Sequence, residues 1–126
     1  MFEYNMNEDE RNEMLGIKKE NFGGGCARFD NVDYKTLKDL VDLNYADLED
    51  AQNSAPTLGE FLKFIETHSN FTVHGYAISS DRDDYRISIE GVDGDHCSKQ
   101  DQEDFTNFCT IPDEFARGIH CHCWYD

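Results

Sequence analysis

Two stretches of strict alternation, separated by five turn-forming residues, constrain this chain more than any other feature. Phe71, Val73, Gly75 and Ala77 alternate with Thr72, His74, Tyr76 and Ile78, and Tyr85, Ile87 and Ile89 alternate with Arg86, Ser88 and Glu90. A period of two sends one set to each side of a strand. The intervening Ser80-Asp81-Arg82-Asp83-Asp84 is rich in turn formers, so the two strands are expected to close into an antiparallel hairpin with a longer loop.

Helical patterning flanks the hairpin. Thr57 and Glu60 form a Thr-x-x-Glu capping box ahead of Leu58, Phe61, Leu62 and Ile65, which predicts a helix up to His68. Upstream, Asp33 is placed to cap a helix whose Leu37, Leu40 and Val41 share a face, and Pro56 bounds the irregular stretch that follows. Downstream, Phe105, Phe108 and Cys109 mark a third helix over 100–109, stopped by Pro112. Residues 118–125 alternate again and predict a third strand, with Ile119, Cys121 and Cys123 on one face and His120, His122 and Trp124 on the other.

The expected fold is therefore α+β: a small antiparallel sheet, the hairpin plus a C-terminal strand, packed with about three helices. A chain of 126 residues has room for one core. Residues 26–126 are expected to form that single α+β domain. Residues 1–25, acidic and ending in Gly23-Gly24-Gly25, read as a flexible N-terminal arm with one short helical stretch around Arg11 to Ile17.

Charge narrows the function. Asp and Glu number 27 against 11 Lys and Arg, a net charge of −16, and such a field repels nucleic acid and anionic membrane alike. No apolar run approaches the roughly 18 residues of a membrane span, and the first residues lack the basic-then-apolar order of an export signal. Five cysteines, an odd number, fit a reducing compartment better than a disulfide framework, so a cytoplasmic protein of the host cell is expected.

Asp39, Asp42, Asp47, Glu49 and Asp50 make one acidic cluster. Asp101, Glu103 and Asp104, with Asp93 and Asp95, make a second, and Asp81, Asp83 and Asp84 occupy the hairpin tip. One reading is a solvated, soluble surface. The other is a partner-binding surface: carboxylates held on a rigid scaffold can fill a basic groove shaped for a polyphosphate and speed encounter with it at low salt. Tyr34, Tyr45, Tyr85, Trp124 and Tyr125 are the aromatic anchors available to such an interface. Asp93-Gly94-Asp95 lacks the further spaced ligands of a calcium loop.

Residues 118–124, Gly-Ile-His-Cys-His-Cys-Trp, together with His96-Cys97 and Cys109, hold the ligand types zinc prefers. In the metal reading the ligands are His96, Cys97, Cys121 and Cys123, because alternation separates the tail cysteines from His120 and His122, and the zinc is structural. In a regular strand same-face neighbours lie about 7 Å apart, so the tail would have to bend. The competing reading makes the cysteines small core hydrophobes. His74 reads as a satisfied or solvated histidine and His68 as a helix-end dipole contact. No nucleophile, metalloprotease or dinucleotide motif is present, and no enzyme is expected.

The run from His74 to Ser79, with Asp81–Arg86, Ile89-Glu90-Gly91, Asp113-Glu114-Phe115 and the closing Trp124-Tyr125-Asp126, resembles small acidic proteins of phages and conjugative elements in Firmicutes. Some proteins of that setting are anti-CRISPR inhibitors, which bind an RNA-guided nuclease and block its guide or target DNA. The resemblance implies a non-enzymatic inhibitor whose basic protein partner is a type II CRISPR effector nuclease; separately, a monomer is the favoured expectation. The Cys-His-Cys before Trp124 departs from the pattern, so the zinc expectation rests on this sequence alone. The alternative is a zinc-binding regulatory or interaction module of a phage or conjugative element with another protein partner.

Overall fold

A computed structural model describes residues 2–126. Four α-helices and five antiparallel strands make an α+β fold: α1 (Glu8–Leu15), β1 (Cys26–Val32), α2 (Tyr34–Asp42), α3 (Leu58–Thr67), β2 (Phe71–Ile78), β3 (Arg86–Gly94), α4 (Lys99–Phe108), β4 (Glu114–Ala116) and β5 (Cys121–Trp124). The sheet order is β1-β2-β3-β5-β4, with β2 and β3 as the expected hairpin at its centre. Among the described residues no helix is long and apolar enough to cross a membrane.

The expected helix signals operate as read. Asp33 accepts from the Thr36 N–H at 2.9 Å to cap α2, and Thr57 and Glu60 close the reciprocal box on α3 at 3.1 and 2.8 Å. Ser98 and Asp101 build a second box on α4. The apolar stripes then meet one side of the sheet. Leu37, Leu40, Phe61 and Phe105 are fully buried, and Phe105 stacks on Phe71 of β2 with ring centroids 5.8 Å apart.

Three features depart from the expected layout. The sheet gains two strands, β1 along β2 and the short β4 along β5, so the C-terminal strand is internal. The amino-terminal segment is docked rather than free: α1 is capped by Asn7 and ended by a left-handed Gly16, and it seats Arg11, Leu15 and the following Ile17 in the interior. Its acidic residues and its Gly23-Gly24-Gly25 end predict an arm, but Arg11 satisfies its guanidinium indoors, donating to the Ile78 carbonyl at 3.0 Å and to Asn12 Oδ1 at 3.0 Å. Finally, Tyr45, Tyr85 and Tyr125 belong to the core, at 0%, 8% and 1% exposure, and are withdrawn as interface anchors.

A bulge in the central hairpin decides which residues face outward. His74 pairs with Gly91 and Gly75 with Ile89, leaving Glu90 as the extra residue. Gly75 is required there, since a Cβ would stand 1.9 Å from the Ser88 carbonyl oxygen. Past the bulge the alternation changes phase: Val92 turns inward to meet Val73, and Asp93 turns outward beside Thr72.

Candidate functional site

Strand β5 carries two kinds of chemistry on its two faces. Cys121 and Cys123 point into the core, while His122 and Trp124 point outward and are half-buried. Register places His122 opposite Asp93 and Trp124 opposite Gly91, and β2 brings His74 alongside Gly91. The outcome is a constellation drawn from three neighbouring strands. His74 Nδ1 lies 2.5 Å from one Asp93 carboxylate oxygen, and His122 Nδ1 lies 2.5 Å from the other. The two imidazoles are nearly parallel, 18° apart, with centroids at 5.5 Å. Glu114 of β4 approaches His122 Nε2 at 3.1 Å.

Electrostatics follow from these contacts. Burial alone would raise the Asp93 pKa, but the hydrogen bonds from His74 and His122 overcome it and hold the carboxyl below its ordinary value. Burial disfavours the charged His122 ring, but Asp93 and Glu114 overcome that too and raise its pKa. His74 is fully buried, and its Nε2 has no hydrogen-bond partner. Nearby, His120 pairs with Asp95. An open cleft of about 340 Å³, bordered by Asn31, Thr72, Asp95 and His120, leads to Asp93 and His122.

His74, Asp93 and His122 form the one group of described residues whose ligand atoms lie within 4.8 Å of each other, close enough to hold a metal ion. The expected set, His96, Cys97, Cys121 and Cys123, is only partly assembled. Cys97 neighbours Cys121, and burial together with that thiol pushes the Cys97 pKa up to about 12. Cys123 instead meets Cys109, Sγ to Sγ at 2.7 Å, and His96 is exposed on a left-handed backbone (φ 53°) outside the core. The Cys109 thiol is pushed up first by its contact with Cys123 and then by burial. The four buried cysteines belong to the core with Phe105 and Val92 as small apolar groups, although the near contact of Cys109 and Cys123 also leaves that pair able to share an ion.

The acidic residues singled out from the sequence differ in what they touch. Asp39 and Asp42 are paired along α2 with Lys35 and Lys38, and Asp84 sits between Arg82 and Arg86. Asp101 is spent on the α4 cap and on Asn70, and Asp104 receives His68 Nε2 at 2.9 Å. Asp47 accepts from the Glu49 N–H, and Asp50 is half-buried beside Gln52 with its pKa raised by burial. Glu49, Asp81, Asp83 and Glu103 are exposed and make no ion pair among the described residues. The ligand set read from the sequence omits all three of His74, Asp93 and His122, because their meeting depends on strand pairing and on the bulge. Compared with family models, curated proteins and solved structures, the chain matches none.

Proposed function

We propose that the chain is a non-enzymatic inhibitor that docks on a cationic, nucleic-acid-binding effector and blocks nucleic-acid engagement. The observation that carries this reading is the net charge of −16, with carboxylates at Glu49, Asp81, Asp83 and Glu103 exposed and unneutralised by neighbours. Of these, Asp81 and Asp83 ride on the tip of the central hairpin, a platform tied to both flanking strands of the sheet. Charges held on such a platform need little reordering on contact, which favours fast, salt-sensitive association with a basic channel. The resemblance to small acidic mobile-element proteins makes a type II RNA-guided nuclease the partner of choice.

The test is co-purification with such a nuclease and a target-cleavage assay across an ionic-strength series. Loss of cleavage, relieved by salt and by the double reversal Asp81→Lys with Asp83→Lys, is expected; full cleavage at excess protein ends this reading. Capture of a different basic protein from host lysate, with cleavage untouched, selects the second reading, a regulatory module with a bound zinc, which the convergence of His74, Asp93 and His122 favours.

A further inference from the structure

We infer that His74, Asp93 and His122 form a three-ligand site for a divalent transition metal of the zinc or ferrous class, with a coordination position left open to the outward face. The inference stands on these side chains and holds whether or not the docking reading does.

The ligands come from β2, β3 and β5, three adjacent strands in the interior of the sheet, so ladder hydrogen bonds fix their backbones before any ion arrives. Both imidazoles turn Nδ1 toward the same carboxylate, and two imidazoles with one carboxylate are the donor set that zinc and ferrous ions accept while keeping sites for water or substrate. In the hydrogen-bonded arrangement protons on Nδ1 bridge to Asp93; an ion takes their place, the His122 proton leaving to solvent and the His74 proton passing to its own Nε2. Glu114, at 3.1 Å from His122 Nε2, accepts the proton that this nitrogen keeps, which fixes the tautomer with Nδ1 free to ligate.

His74 supplies the second, independent sign. With its Nδ1–H given to Asp93, the buried Nε2 is a bare acceptor with no partner. It borders the point above Gly91 where a Cβ would lie, 2.4 Å from that nitrogen and 2.0 Å from the Cys123 carbonyl oxygen. Metal on Nδ1 places the proton on Nε2, a buried ring nitrogen that no other described group contests. Entry is provided by the cleft of about 340 Å³, and Asp93 and Asp95 in its lining give it a field that attracts cations.

The full chain, purified without an affinity tag, reduced and stripped with chelator, is titrated with Co²⁺ and Zn²⁺. One equivalent of Co²⁺ is expected, with weak visible absorption and no thiolate-to-cobalt charge-transfer band. Asp93→Asn and His122→Gln are each expected to weaken Zn²⁺ binding at least about 100-fold, and Glu114→Gln about 10-fold, within the range for outer partners. His122 and Glu114 are exposed enough that their variants fold, and melting without metal checks this. A charge-transfer band places the ion on the cysteines and overturns the inference. So does Zn²⁺ affinity unchanged in His122→Gln, or no binding at millimolar metal.

Discussion

The two faces of β5 sit one residue apart in the chain and live in different physical worlds. On the inner face Cys121 and Cys123 are at 2% and 0% exposure, and the contact of Cys123 with Cys109 is one of thiol against thiol in an apolar interior. On the outer face His122 is 36% exposed and is held between two carboxylates. The neighbours of the inner residues, Cys97 and Cys109, have their thiol pKa values raised by burial and thiol contact; on the outer face His122 has its own raised by charge. Residue type alone thus says little about which side chains are available to a ligand, because the same strand supplies donors to both faces and only the surroundings set their protonation.

Gly91→Ala is the harshest test, since it strikes the point where outer ring and inner strand meet. Its Cβ would collide with backbone of β5 and with His74, so a loss of about 3 kcal/mol or more is expected in urea unfolding. A loss below about 1 kcal/mol would show that the ring does not lie over Gly91. Next comes Cys123→Ser, which buries a hydroxyl in an apolar place and is expected to cost about 1–3 kcal/mol. His122→Gln, on the opposite face, is expected to cost less than Cys123→Ser in the same assay; equal costs would erase the distinction between the faces.

The pH profile of the metal-free protein sharpens the contrast further. His122, held above its ordinary 6.5, adds stability that is complete below that value and fades as pH rises through the folded pKa. Asp93, held below its ordinary 3.8, adds stability that is present above that value and fades as pH falls through its lower folded pKa. Unfolding midpoints should therefore decline on the alkaline side in the parent chain and decline less in His122→Gln. The smallest effect belongs to the remote surface: Asp39→Asn breaks an exposed helix pair with Lys35 and should move stability by no more than about 0.5 kcal/mol.

Much of the fold is legible in the sequence because its signals are local. The box at Thr57, the Asp33 cap and the alternation of β2 act over a few residues, and each reports its element directly. Strand β1 hides because Asn31 adopts a left-handed φ of 58° and breaks the alternation between Phe29 and Val32. The short helical stretch around Arg11 is legible, but its docking hides because an arginine occupies the place of its central core residue, and β4 hides because three residues carry no period. The site is harder still. The alternation of Cys121 to Trp124 does separate thiols from imidazoles, but extending the pattern of Ile87 and Ile89 puts Asp93 inside. The extra residue at Glu90 reverses that parity, and nothing local announces it.

Because the Arg11 guanidinium donates to the Ile78 carbonyl and lies 4.5 Å over the Tyr85 ring, the first helix is riveted to both roots of the loop that bears Asp81 and Asp83. Trimming the polypeptide through 8–15, or fusing a bulky tag against it, would draw a charged rivet out of the interior and let those roots splay. The tip and the opening helix are mechanically one part, and a shortened version should be judged by the posture of that loop as much as by its melting point.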